Sequence, residues 1–192
     1  MIVIKLGGSL SQSDTLIKCL NSVEQNYTDN AVVIVPGGGA FADQVRLAQY
    51  RWQFDDNTAH RMAILAMQQM ALLIKGLKNS FSIAHSVTDI QKQLRQKKIV
   101  IWSPDIVELD HAGIKASWDI TSDSLAAWLA KALSARKLIL VKSAIIDKNL
   151  TLQQLAEHDI IDQGFCDFVR QATFKIKVIN QQNFGLYVDR SG

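Results

Sequence analysis

Short unbroken apolar runs alternate along this chain with longer stretches of helical period. Residues 31–35 place five apolar side chains in a row and residues 2–6 are apolar but for Lys5, the mark of strands buried on both faces. Between them, residues 14–25 bring Leu16, Ile17, Leu20 and Val23 to one side of a predicted helix. A helix over 41–52 and a long one over 56–78 follow. Next come a strand at 81–84, a helix at 88–97 and a strand at 99–102. The stretch from Pro104 through Gly113 reads as irregular. Residues 121–135 then form an amphipathic helix with Leu125, Trp128, Leu129 and Ala132 on one side, and a strand follows at 138–141. The remainder mixes two helices with a late strand at 174–179. Apolar strands separated by helices predict an α/β fold with a mostly parallel central sheet covered on both faces. No repeat, low-complexity tract or linker interrupts residues 1–192, which read as one domain.

Composition narrows the classes of function. Apolar residues make up 48% and charged residues 20%, an ordinary globular balance, and the formal charge of +3 is too small to argue for nucleic acid. The densest basic run, Arg95-Gln96-Lys97-Lys98, ends a predicted helix, where cations suit the dipole. Cys19 and Cys166 lack CxxC spacing, and His85, His111 and His158 have no metal-ligand spacing, so no metal site is expected. The longest helical stretch, 59–77, is broken by His60, Arg61, Gln68, Gln69 and Lys75, which argues against a membrane span. A cytoplasmic protein is expected.

The candidate chemistry lies at the strand ends. Gly7-Gly8-Ser9 follows the first strand and Gly37-Gly38-Gly39 the second. Residues without a Cβ let backbone N–H groups close on an anion, and the helix that follows offers its positive end to it. Ligands of parallel α/β sheets bind outside these carboxyl ends. No GxxxxGK[ST] motif is present. Gly37 to Ala42 satisfies G-x-G-x-x-A, but the acidic residues at the dinucleotide spacing, Asp55 and Asp56, open a helix and do not close a strand. Lys5 ends a buried strand beside the first loop, a poor choice unless an anion meets it or its ammonium reaches solvent. Asp119 and Asp123 are four residues apart where Ser117–Ser124 opens a helix. They read either as caps or as carboxylates on one face, with Asp123 placed to hold a lysine or hydrated Mg²⁺. Lys142 supplies a second cation at a strand end. His60 opens the long helix, as a solvent-facing residue or as a grip on an anionic group. Met62, Met67 and Met70 read as core.

Lys5-Leu6-Gly7-Gly8-Ser9, Val35-Pro36-Gly37-Gly38-Gly39, Ser122-Asp123-Ser124-Leu125-Ala126-Ala127 and the strand ending at Lys142 together resemble the amino acid kinase family, over about residues 1–147. The resemblance implies a three-layer αβα fold and an ATP-dependent, Mg²⁺-assisted kinase. Lys5, Asp123 and Lys142 would be catalytic, and Gly7, Gly8, Ser9 and Lys142 would hold the nucleotide. Gly37, Gly38, Gly39, His60 and Asp119 would hold a small phosphate or carboxylate acceptor. A homo-oligomer is expected by the same likeness. Ala59-His60-Arg61-Met62-Ala63-Ile64 and the Ser117–Ser124 segment resemble a compact branch of the family that acts on an aminomethylfuran phosphate in methanofuran biosynthesis. Two departures stand out. The family's T-D-x-x-G stretch is replaced by Lys142-Ser143-Ala144-Ile145-Ile146-Asp147, and the C-terminal nucleotide-binding part is short, without a G-G-M…K segment. A non-catalytic nucleotide-binding or storage subunit is the alternative, and an NAD(P)-dependent oxidoreductase a third reading.

Overall fold

The computed structural model describes residues 1–27 and 31–185. Among them, six strands form one sheet: β1 (Ile2–Leu6), β2 (Val32–Pro36), β3 (Ser82–Ala84), β4 (Val100–Trp102), β5 (Lys137–Lys142) and β6 (Lys175–Asn180). Their order is β3-β4-β2-β1-β5-β6 and every pairing is parallel. The helices are α1 (Thr15–Asn26), α2 (Gly39–Trp52), α3 (Asp56–Leu77), α4 (Val87–Arg95), α5 (Ile106–His111), α6 (Ser122–Ala132), α7 (Leu152–Glu157) and α8 (Phe165–Val169). None is long and apolar enough to cross a membrane.

Strand periodicity divides the interior into two cores, one on each side of the sheet. Ile2, Ile4, Leu6, Val32, Ile34, Ile139 and Val141 face α1, where Leu16, Cys19, Leu20 and Val23 close over them. Val3, Val33, Val35, Leu138 and Leu140 face the opposite way, towards α6 and its neighbours. The long α3 serves both, giving Ile64 and Met67 to one core and Ala71 and Ile74 to the other. The same alternation decides where the strand-end lysines go. Lys5 follows Val3, and Lys142 follows Leu140, so both side chains leave the sheet on the α6 side.

Three local expectations are corrected. The stretch after Pro104 is not irregular throughout, for it holds α5, capped by the Asp105 carboxylate accepting from Val107 N–H at 2.9 Å. Six residues make fewer than two turns, too little for a period to show. In α1, Cys19 is buried where Ile17 is only half-buried; in α6, Ala132 is exposed and Ala126 and Ala130 fill the inner side instead. The outer side of α3 leaves Leu65, Leu72, Leu73 and Leu77 in the open, an apolar stripe on the surface of this chain.

Candidate active site

At the carboxyl end of the sheet, β1 and β5 are neighbours, and Lys5 and Lys142 converge on one carboxylate from α6. The Lys5 Nζ lies 2.8 Å from Asp123 Oδ1, and the Lys142 Nζ lies 2.5 Å from Asp123 Oδ2. The Asp123 side chain is 1% exposed and that of Lys5 5%. Burial pushes the Asp123 carboxyl up, but the two ammonium groups together outweigh it and hold the acid below its usual range. Burial lowers the Lys142 ammonium, repulsion from Lys5 lowers it further, and Asp123 opposes both. One carboxylate thus keeps two cations side by side at the mouth of the sheet. Their combined charge exceeds its own by one, so the cluster is poised to attract an anion.

Asp123 is itself fixed from a distance. The α6 N-terminus has no cap from its own Thr121 side chain. Asp162, in the turn between α7 and α8, supplies it. Its carboxylate accepts from Thr121 N–H at 2.8 Å, from Ser124 N–H at 2.9 Å and from both of their hydroxyls. The Asp162 backbone N–H donates to Asp123 Oδ2 at 3.3 Å. Burial first, and then the Asp123 charge, raise the Asp162 carboxyl above its ordinary value. Nothing in the local sequence marks Asp162, because its partners lie about 40 positions earlier and only the fold brings them together. The expectation that Asp and Ser within 117–124 would cap α6 is corrected accordingly.

The glycine loops touch each other. Gly7 N–H continues the ladder to Val141 O at 2.9 Å, and Gly37 N–H does the same to Leu6 O at 2.9 Å. The next amides, of Gly8 and Ser9 and of Gly38 and Gly39, open helical turns and have no partner within them. A Cβ on Gly8 would stand 2.3 Å from Gly39 N, and one on Gly37 would stand 2.6 Å from Gly8 N. Gly39 also has φ +55°, a left-handed conformation that suits glycine. The glycines are therefore required for the two loops to pack edge to edge. Ser9 Oγ lies 3.0 Å from Ser143 Oγ, and Asn180 Nδ2 donates to the carbonyls of Ser143 and Ala144. The segment after Lys142 is tied in this way to both the first loop and the end of β6.

Beyond the loops opens a cleft of about 240 Å³. Gly8, Ser9 and Gly37–Gly39 form one end, α2 contributes Ala42, Asp43 and Arg46, and α3 contributes Asp56, His60, Ala63, Ile64 and Met67. The wall opposite is Ser117, Trp118, Ile120, Thr121, Ser122 and Leu125. His60 is buried rather than solvent-facing, and burial lowers its imidazole, with Asp110 opposing the shift and Arg61 adding to it. Arg46 stacks on the Trp118 ring, 3.9 Å from its centroid. Sequence reading passed over Arg46, which belongs to no motif, and singled out Trp118 only as part of the Ser117–Ser124 segment.

Asp119 is placed apart from this set. Its side chain is exposed, it lies outside the residues lining the cleft, and its carbonyl accepts from Gly164 N–H at 2.8 Å. Since α6 begins at Ser122, Asp119 and Asp123 do not share a helical face. Asp55 caps α3 by accepting from Thr58 N–H at 2.8 Å, and the strand after Gly39, β3, is followed by His85. The acidic residue a dinucleotide fingerprint requires at that strand end is absent. Among the described residues, no group of three or more His, Cys, Asp or Glu side chains could hold a metal ion.

The chain is similar to known proteins in sequence and in fold. The model of the amino acid kinase family matches residues 1–144. The [5-(aminomethyl)furan-3-yl]methyl phosphate kinase of Methanocaldococcus jannaschii is 28% identical, over 94% of this chain and 88% of that protein. Among solved structures, uridylate kinase from Archaeoglobus fulgidus superposes with a TM-score of 0.76 at 19% identity, covering 98% of this chain and 95% of its own. UMP kinase from Ureaplasma parvum gives 0.73 at 18% identity, covering 100% and 95%.

Proposed function

The chain belongs to the amino acid kinase family, and from that membership we propose that it is an ATP-dependent kinase whose acceptor is itself a phosphate monoester, of the aminomethylfuran phosphate kind. The observation that carries the reading is the buried Asp123 carboxylate between the Lys5 and Lys142 ammonium groups, beside two glycine loops in contact. Phosphoryl transfer asks a protein for alignment and charge stabilisation more than for covalent chemistry. An oxygen of the acceptor phosphate attacks the γ-phosphorus of ATP. The bond from that phosphorus to the β–γ bridging oxygen breaks, and ADP leaves with the electron pair. The acceptor becomes a diphosphate.

In this reading the Gly8 and Ser9 amides hold donor phosphates, while Gly38 and Gly39 at the start of α2 face the acceptor phosphate. Lys5 and Lys142 flank the transferring group and meet the charge that develops on it. Asp123 sets their separation, and neutral His60 offers a hydrogen bond to the acceptor's anionic end. Mg²⁺ bound with the nucleotide would neutralise its β- and γ-phosphates. It would ride on those phosphates and water, because both Asp123 oxygens already face ammonium groups.

The test is acceptor-dependent release of ADP with aminomethylfuran phosphate as acceptor. Wild type is expected to turn over, and Lys5→Ala and Asp123→Asn to lose at least about a hundredfold in kcat. Equal turnover by all three proteins would sink these roles. The alternative, a nucleotide-binding subunit without catalysis, draws on Lys142-Ser143-Ala144 standing where the family carries T-D-x-x-G. It predicts ATP binding by calorimetry with no ADP released under any acceptor.

A further inference from the structure

Charge is distributed along the acceptor cleft in a way that holding a phosphate does not by itself explain. Asp43 and Arg46 stand three residues apart on α2, a spacing at which opposite charges on a helix ordinarily pair. Among the described residues they do not pair. Arg46 is drawn onto the Trp118 ring, and Trp118 is held in turn by its Nε1–H donating to Gln49 Oε1 at 2.6 Å. Gln49 Nε2 also donates to Asp56 Oδ1 at 2.9 Å, so the second carboxylate of the cleft is engaged. Asp43 lines the cleft and has no hydrogen bond or ion pair to any described residue. His60 lines the same cleft at 9% exposure and likewise has no hydrogen-bond partner among the described residues. A largely buried imidazole with no protein partner is available to a ligand in the cleft.

We propose that Asp43 is the specificity residue of the acceptor site and recognises an ammonium group carried one helical turn beyond the acceptor's anionic end. This rests on the reading of the cleft as the acceptor site. The anionic end fits the amides of Gly38 and Gly39 at the α2 N-terminus, with His60 beside it. From Gly39 to Asp43 the helix rises about 6 Å. A five-membered ring bearing a phosphorylated carbon on one side and an aminomethyl carbon on the other separates phosphorus from nitrogen by roughly 7 Å at ordinary bond lengths. A molecule of that length is long enough to reach from the α2 N-terminus to Asp43, one turn on. Ile64, Met67 and the Trp118 ring supply apolar walls for the flat part of such a molecule. By stacking on Trp118, Arg46 leaves the Asp43 carboxylate unneutralised for a cation from the ligand.

The experiment compares two acceptors, aminomethylfuran phosphate and the analogue whose amine is replaced by a hydroxyl, on wild type, Asp43→Asn and Asp56→Asn. Wild type is expected to favour the amine in kcat/KM by about ten- to a hundredfold, the worth of a charge-assisted hydrogen bond. Asp43→Asn erases that preference by raising KM for the amine alone, and Asp56→Asn keeps it. An Asp43→Asn loss that is equal for both acceptors, or a preference that follows Asp56, overturns the proposal. Turnover of neither acceptor by wild type is a failure of the kinase reading and not of this one. Tryptophan fluorescence titration with the same two compounds then decides. Tighter binding of the amine, lost in Asp43→Asn, sustains the role of Asp43, and equal binding removes it.

Discussion

The two glycine loops lie edge to edge, yet the side chains behind them follow opposite rules. Behind Gly7-Gly8-Ser9, the charges are matched inside the protein: Lys5 and Lys142 share Asp123, and Asp162 fixes the helix that carries it. Behind Gly37-Gly38-Gly39, Asp43 and His60 have no hydrogen-bond partner among the described residues, Asp43 exposed at the cleft and His60 largely buried. A group saturated by its neighbours cannot choose among ligands, but it can be held rigidly where charge will develop. A group left unsatisfied is free to choose. In the proposed function, the difference would separate a region for alignment from one for recognition, as suits a transfer in which one phosphate donor meets a particular acceptor.

The comparison is broken most severely at Asp123. Asp123→Ala strands two buried ammonium groups, and stability should fall by roughly 3–5 kcal/mol as turnover disappears. Chemical denaturation beside activity measures both, and a variant as stable as wild type would mean the matched region is not held by this ion cluster. A smaller loss is expected from Gly8→Ala, whose Cβ must push the two loops apart. Overpacking of this sort costs roughly 1–3 kcal/mol, and KM should rise for both ATP and acceptor because the loops move together. A rise confined to ATP would show that the regions are independent.

The mildest effect comes from pH. Burial and Lys5 lower the Lys142 ammonium from its ordinary 10.5, so activity should fall on the alkaline side before an ordinary lysine would titrate. Across that window the unfolded chain binds the additional proton, so the contribution of this group to stability rises with pH as activity falls. Lys142→Arg, which keeps its charge, should move the alkaline limb of kcat to higher pH. An unmoved limb would assign it to another group.

Much of the matched region was legible beforehand, because it is written in short motifs. Lys5-Leu6-Gly7-Gly8-Ser9 and Pro36-Gly37-Gly38-Gly39 combine a buried strand, a strand-end charge and glycines, and each of those signals is local. Asp123 was legible as a helix-opening acid that either caps the helix or holds a lysine, and the family resemblance grouped it with Lys5 and Lys142. Arg46 and Asp162 carried no local signal, and Trp118 only its place in the Ser117–Ser124 segment. Their roles arise from a cation lying on an aromatic ring and from a cap delivered by a distant turn, contacts between residues tens of positions apart. Asp119 shows the converse. Its spacing from Asp123 suggested a shared face, and the helix begins too late to create one.

Hydrophobic patterning by itself pointed to the parallel α/β sheet, because short, largely apolar segments recur between longer stretches of helical period. It also determined that glycine loops and strand-end lysines would gather at one edge, since parallel strands all end on the same side. Asp123 was already a candidate to hold a lysine, but that it meets both at once was decided by tertiary structure. The placement of β5 beside β1 brings Lys142 next to Lys5, and the pleat turns both towards α6. The cleft's unpaired charges were decided there too, because whether Arg46 pairs with Asp43 depends on a tryptophan more than seventy residues away. Period and turn chemistry are local properties of a chain, whereas the state of a charge is set by whatever the fold places against it.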